Sequence, residues 1–467
     1  MRNRLILLVV ASAAIGLAVA AIGALRAGVP IDDPWLFPLL VVVPATAAIA
    51  LALSLRARPA TRANIVVLMA ALIAGLYVVE SALALLPSPS APPSGPVAAA
   101  GDAADRRTRF EVVTDMRGMG EGAYPSFGAR GLRSLNMRSG VGITLDGQRI
   151  APLAQLVDRT IVDCNESGQF SIFRTDERGF NNPPGLWNGP IDVAAVGDSF
   201  VQGSCVGPGE TLVAGMRRRV PATVGAGIAD SGPFVYLGII KEYLADVKPR
   251  DVVWFHYEGN DLRNLASEYR NAELRIYLEP GGTQRLLERQ QEIDQAIAGF
   301  VEERLADPPG DEEPDVADAS FGAGLRQWIR LNRIRSTLGL ANVNERLQSC
   351  CDLATFEATL LEARRTVESW GGRFHFAYLP AGGRYFQPLS AILDDDLRYR
   401  GRVHRLVNDL GIPVLDVDAT FRASGDPTRF FHSWRSHYNP EGYRVVADAV
   451  IDHLESVKRA DAAAVRD

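Results

Sequence analysis

The chain has 467 residues, 47% of them hydrophobic and 22% charged, enough apolar material for a large domain with a sizeable core and further segments besides. Its net charge of -6 leaves no basic stripe to neutralise phosphates, which argues against a nucleic-acid partner. Four cysteines are too few for a disulfide scaffold, and no cluster of His, Cys and carboxylate has metal-ligand spacing, so the sequence calls for neither cofactor nor metal.

Three apolar runs open the chain, at about 5–25, 35–55 and 64–86, each near the roughly 20 residues a helix needs to cross a bilayer. The first is long for a cleaved leader and two more come directly after it, so retained helices are expected. Arg2 and Arg4 precede the first run, Asp32 and Asp33 sit in the first loop, and Arg56, Arg58 and Arg62 fill the second. The positive-inside rule then predicts a three-helix transmembrane anchor over 1–86 in the cell (inner) membrane, with Glu80 snorkelling to the interface and the chain beyond residue 86 extracytoplasmic, in the periplasm. The membrane is thus an expected partner.

Residues 87–108 are rich in Pro, Ser and Ala and read as a semi-rigid linker. Arg106, Arg107 and Arg109 read as a solvated charge run. Residues 109–190 are Gly-rich with short apolar alternations, an N-terminal extension of irregular β structure packed on the domain that begins at 191.

From 191 a strand and helix rhythm sets in, which predicts an α/β domain over 191–460 with a parallel sheet covered on both faces. Strands are expected at 191–196, 222–228, 251–257, 373–379 and 412–417, and helices at 211–220, 232–246 and 440–457. An insertion at about 262–370 carries helical periodicity at 283–306, 325–347 and 353–370, broken by an acidic Pro-rich loop. The first strand ends at Gly197-Asp198-Ser199-Phe200, where a tight turn offers Ser199 at a strand's carboxyl edge, well placed for nucleophilic work.

Ser199 needs an oxyanion hole and a base. After the second strand, Gly227 offers a backbone N–H. After the third, the Asn260 amide can donate to developing negative charge. His437 stands in the loop before the last helix, next to Tyr438-Asn439-Pro440-Glu441-Gly442. His256 and His375, inside apolar strands, read as core residues. His432, close to His437, is a candidate substrate contact. Cys205 lies shortly after Ser199, and outside the cytoplasm paired thiols oxidise, so a Cys164–Cys205 disulfide is expected to pin the incoming segment beside the nucleophile loop. Cys350 and Cys351, adjacent, read as packed or surface thiols.

These ordered blocks resemble the SGNH, or GDSL-like, esterase and lipase superfamily over about 170–460, with Ser199, Gly227, Asn260 and His437 as the four marker residues. The Thr175-Asp176-Glu177-Arg178-Gly179-Phe180 stretch looks like the run-in of membrane-linked members. The resemblance implies a flavodoxin-like three-layer fold, Ser199 as nucleophile, His437 as base, and an oxyanion hole of the Ser199 N–H, the Gly227 N–H and the Asn260 side chain. One departure stands out. The family carries an Asp two or three residues before the histidine, where this chain has Arg435 and Trp434. The expectation is therefore a Ser–His dyad oriented by the Trp434 carbonyl, or a triad completed by Asp426 or Asp418 from the preceding loop.

The function expected is an extracytoplasmic serine esterase acting on an acylated carbohydrate or other envelope ester. The same acyl-enzyme handed to a sugar hydroxyl makes an O-acyltransferase of surface polysaccharide. A catalytically silent envelope binding or scaffold protein is the reading from another class.

Overall fold

The computed structural model describes residues 58–85, 104–129, 143–306, 331, 353–386, 399–433 and 436–464. The chain divides into two units, Met1–Ser90 with Val316–Val343, and Ala91–Asp315 with Asn344–Asp467.

In the first unit the described element is a helix over Pro59–Leu85. Among the described residues no helix is long and apolar enough to cross a membrane, which overturns the expectation of three membrane-spanning helices. The physical reason lies in the sequence of this helix: the apolar run between Asn64 and Glu80 reaches only about 22 Å at 1.5 Å per residue, short of a hydrocarbon core of about 30 Å. Glu80, expected to snorkel, is buried. The expected spans at 5–25 and 35–55 lie outside the described residues, as do Cys350 and Cys351.

The second unit begins with a helix over Arg109–Gly118, started by a capping box between Thr108 and Glu111. Short strands come next: β1 (Ala123–Pro125), β2 (Ile143–Leu145), β3 (Gln148–Ile150), β4 (Thr160–Val162) and β5 (Ile172–Arg174). The sheet β1-β4-β5 is mixed, parallel between β1 and β4 and antiparallel between β4 and β5. β2 and β3 form a hairpin whose turn residues, Asp146 and Gly147, both take positive φ, as a two-residue hairpin turn requires.

The central sheet contains β6 (Val193–Gly197), β7 (Thr223–Gly227), β8 (Asp251–Tyr257), β9 (Arg373–Leu379) and β10 (Val414–Asp416), all parallel, in the order β10-β9-β8-β6-β7. Their β-branched and aromatic residues alternate between two cores, because successive side chains of a strand point to opposite faces. Ala194, Val196, Val252, Trp254, Phe374 and Phe376 enter one core, beneath Pro233–Ile239 and Leu353–Ser369. Val193, Ala195, Val253, Phe255, Ala377 and Leu379 enter the other, beneath Leu212–Arg217, Val417–Arg422 and Pro440–Ala464. The result is an α/β fold of three layers.

Numbered by appearance, the sheet reads 2-1-3-4-5 across, so the connection reverses direction between β6 and β8. In open parallel sheets the carboxyl ends flanking such a reversal form the ligand crevice. Ser199 leaves β6 and Asn260 leaves β8, one on each side of it.

Of the expected insertion helices, 283–306 is seen as Gln290–Ala306 and 353–370 as Leu353–Ser369, while 325–347 falls almost wholly outside the described residues. Ala129, Ile150, Leu153, Phe180 and Trp187 of the N-terminal extension share the core beneath the first face.

Candidate active site

Ser199 opens a short helix, Ser199–Gln202, directly after β6. Asp198 caps that helix, its Oδ1 accepting from the Phe200 N–H at 3.0 Å. Burial, aided by the nearby charge of Asp261, pushes the Asp198 carboxyl up to about 8.

His437 is carried in by the loop before the last helix. An antiparallel bridge between Phe431 and Tyr438 pinches that loop, and the Tyr438 hydroxyl donates to the Pro380 carbonyl at 2.8 Å. Asn439 accepts from the Gly442 N–H at 3.0 Å and donates back to the Arg429 carbonyl at 2.7 Å. Any Cβ on Gly442 would meet the Phe430 carbonyl oxygen at 2.3 Å, so only glycine lets the helix start here. This is the physical content of the Asn439-Pro440-Glu441-Gly442 signature: it fixes where the preceding imidazole stands.

The imidazole stands against the serine. His437 Nε2 is 2.8 Å from Ser199 Oγ, and the ring packs on Phe200 with centroids 4.9 Å apart. On its other side Nδ1 is 3.1 Å from Glu166 Oε1, while the His437 backbone N–H donates to Glu166 Oε2 at 2.7 Å. One carboxylate thus grips the residue twice. With Nδ1–H donating to Glu166, Nε2 is left as the acceptor for the serine hydroxyl.

The electrostatics derive from that grip. Burial alone raises the Glu166 carboxyl, but the charge of His437 and the hydrogen bonds from its ring and backbone outweigh it and hold Glu166 below the usual carboxylate range. Burial alone lowers His437, yet the charge and hydrogen bond of Glu166, helped by Asp198 and Asp163, raise it above an ordinary histidine.

Glu166 was not among the expected orienting groups, which were the Trp434 carbonyl for a dyad and Asp426 or Asp418 for a triad; it is the carboxylate that meets the His437 ring. Asp418 is turned elsewhere, accepting from the Tyr385 hydroxyl at 2.6 Å and from Arg422 Nε at 3.0 Å. Asp426 caps a one-turn helix, accepting from the Thr428 N–H at 3.1 Å. The hydrogen bonds of both go to these partners, and the carboxylate on the His437 ring is Glu166. Trp434, the other expected orienting group, lies outside the described residues. A signal for Glu166 was present: it stands two positions after Cys164, in the segment expected to be pinned beside the nucleophile loop.

That pin exists in the structure. Cys164 and Cys205 are joined by a disulfide with Cα atoms 4.8 Å apart, and Cys205 Sγ lies 3.1 Å from His437 Nδ1. The fold therefore gathers Cys164, Glu166, Cys205 and His437 into one cluster, although their sequence spacing showed no metal-ligand pattern.

The serine and histidine face a cavity of about 600 Å³. Arg109, Asp163, Asn165, Asp230, Asn260 and Ser436 give it a polar lining. Asn260 occupies the N-cap of Asp261–Glu268 but makes no cap hydrogen bond, which leaves its amide to the cavity. Gly227 is not among the residues that line the cavity. It ends β7 opposite Gly197, and a Cβ there would meet the Gln202 backbone nitrogen at 2.6 Å and the Asp198 carbonyl at 2.8 Å, so it packs tight against the nucleophile turn. From this strand's exit it is Ala229 and Asp230 that line the cavity, Asp230 with φ of 55°. His432 is not among the lining residues. His256 and His375 are buried in the sheet.

No family model matches the sequence, and no curated protein matches it. Solved structures similar to the chain include an acetyl xylan esterase, 15% identical, covering 56% of this chain and 98% of its own, with a TM-score of 0.32. Another is a protein assigned to the lipolytic G-D-S-L family from Desulfitobacterium hafniense DCB-2, 14% identical, with the same coverage and a TM-score of 0.28. At that level these likenesses carry no weight for the activity, which has to be judged on the geometry of the site.

Proposed function

We propose that the chain is a serine hydrolase of SGNH type that acts on ester bonds through Ser199, His437 and Glu166. The observation that carries this reading is the continuous line from Ser199 Oγ through His437 Nε2 at 2.8 Å to Glu166 at 3.1 Å from Nδ1. Ser199 attacks the ester carbonyl as His437 takes its proton, and Glu166 stabilises the imidazolium that forms. The Ser199 N–H and the Asn260 amide receive the oxyanion, and the protonated histidine returns its proton to the leaving alcohol. Water, activated by the same histidine, then resolves the acyl-enzyme. The expected third donor, Gly227, packs against the nucleophile turn and does not line the cavity.

A short acyl group on a polar alcohol such as a sugar suits the lining of Arg109, Asp163, Asn165 and Asn260. The Cys164–Cys205 disulfide favours an extracytoplasmic, oxidising compartment. The test is hydrolysis of an activated acetyl ester by the full chain, together with labelling by a fluorophosphonate. Turnover and labelling, both lost in Ser199→Ala, are expected; a folded chain that neither turns over nor labels is a silent binding protein instead. Free acetate measured against acetylated sugar, with sugar acceptors present, separates a hydrolase from an O-acyltransferase.

A further inference from the structure

We propose that reduction of the Cys164–Cys205 disulfide turns the acid and base edge of this site into a zinc-class metal site, with Cys164, Glu166, Cys205 and His437 as its four ligands. One donor atom from each of the four lies within 4.8 Å of the others. Nδ1 of His437 is 3.1 Å from both Cys205 Sγ and Glu166 Oε1. Tetrahedral zinc, with bonds of about 2.0–2.3 Å, sets its ligands about 3.3–3.8 Å apart, so the oxidised arrangement departs from a coordination shell in two respects. Its donors spread to as much as 4.8 Å, about 1 Å too wide. The two sulfurs are bonded to each other and have no thiolate to offer. Once the bond breaks the sulfurs separate and the widest donors draw in by about 1 Å, and two cysteines, one imidazole and one carboxylate are an ordinary zinc donor set. Cys164 is half-buried and lines the cavity, which gives a reductant its approach.

The chemistry balances. A dithiol supplies two electrons and two protons, becomes its own disulfide, and leaves two cysteine thiols; the metal then displaces both thiol protons, so binding is favoured as pH rises. The consequence for catalysis rests on the hydrolase reading. A metal on Nδ1 confines the imidazole's one proton to Nε2, which points at Ser199 Oγ. Nε2 then cannot accept the serine proton, and Glu166 is withdrawn from its role. The two states exclude each other because they use the same two side chains.

The experiment uses the full chain, oxidised or treated with a phosphine, which takes oxygen from water as the disulfide gains two electrons and two protons. Cobalt(II) is the probe. The reduced chain should show visible bands of a tetrahedral site with near-ultraviolet thiolate charge transfer, removed by added zinc, and the oxidised chain should show neither. Cys205→Ala should abolish the bands and Glu166→Gln should weaken cobalt binding at least tenfold. Ser199→Ala should keep the bands in full, as should Cys350→Ser combined with Cys351→Ser. Zinc should lower ester turnover of the reduced chain at least tenfold below the oxidised chain, with recovery after chelation and reoxidation. A reduced chain that keeps its circular dichroism without these bands, one that unfolds on reduction, or bands that survive Cys205→Ala overturn the proposal. Bands in a chain that hydrolyses nothing when oxidised would keep the metal site and sink the esterase reading.

Discussion

Two histidine–carboxylate pairs lie at opposite ends of the same sheet. His437 and Glu166 meet at 3.1 Å by its carboxyl edge; His375 and Asp251 meet at 3.0 Å near its amino edge, where Asp251 begins β8 and His375 lies near the start of β9. The contact distance is therefore uninformative. What differs is the rest of each ring and of each acid. His437 turns its second nitrogen to a serine hydroxyl beside a cavity, whereas the second nitrogen of His375 is buried without a hydrogen-bond partner among the described residues. Glu166 spends both oxygens on His437; Asp251 is shared with Arg373 at 2.7 Å and Lys458 at 3.3 Å. The first pair joins a serine hydroxyl to a carboxylate through one ring, and the second ties strand and helix ends together.

The largest expected effect separates the pairs by activity. Ser199→Ala and His437→Ala should cut turnover of an activated acetyl ester by about 10⁴-fold or more, with circular dichroism unchanged. A residual rate within tenfold of the parent would remove His437 from the chemistry and leave the two pairs alike.

Glu166→Gln comes next. It keeps the shape but loses the charge, and should lower turnover by about 10³-fold, a barrier change of about 4 kcal/mol. The pH profile sharpens the test. The base works only when neutral, so kcat/KM should climb as pH rises through a His437 pKa that Glu166 holds above the ordinary value. Removing the carboxylate charge lowers that pKa, so the acid limb of the residual activity should move to lower pH. An unmoved limb would mean that Glu166 does not act on the histidine.

Asp251→Asn should do the converse. Breaking a buried pair costs about 3 kcal/mol of stability, read as a lowered denaturant midpoint, while turnover per folded molecule stays put. Burial raises the Asp251 carboxyl, but the hydrogen bonds and charges of His375 and Arg373 bring it well below the usual range. A depressed folded pKa means stability present above the unfolded pKa of about 3.9 and lost as pH falls toward the folded value, so the variant's deficit should shrink in acid.

The smallest effects belong to the carboxylates that the sequence nominated. Asp418→Asn and Asp426→Asn should each lower turnover by less than about tenfold, or about 1.4 kcal/mol, since Asp418 serves Tyr385 and Arg422 and Asp426 caps Thr428. A collapse in either, with the fold intact, would put that aspartate back in the acid's place.

Local chemistry made much of this molecule readable. Strands rich in Val, Phe and Trp are bounded by their own composition, and the expected 251–257 and 373–379 coincide with β8 and β9. The ends of such strands already say which side chains share an edge, so Ser199, Asn260 and His437 could be grouped from sequence. Cys164 and Cys205 could be paired because only their chemistry and rough position were needed. The expected span at 64–86 misled because its apolar length was counted across Asn64 and Glu80, which interrupt it in Pro59–Leu85.

What tertiary structure alone decided is direction. Glu166 lies 271 positions before His437, and no periodicity or spacing rule links residues that far apart. Its place depends on how the extension after β4 folds back over the carboxyl edge and is tied to Cys205. Gly227 was identifiable as a glycine at a strand end, but whether its N–H meets the cavity or the back of the nucleophile turn depends on packing against Val201 and Gln202. Sequence determines which groups are present and which strand end carries them, since those are local properties. Only the packed fold fixes which way each lone pair and proton points, and catalysis depends on that.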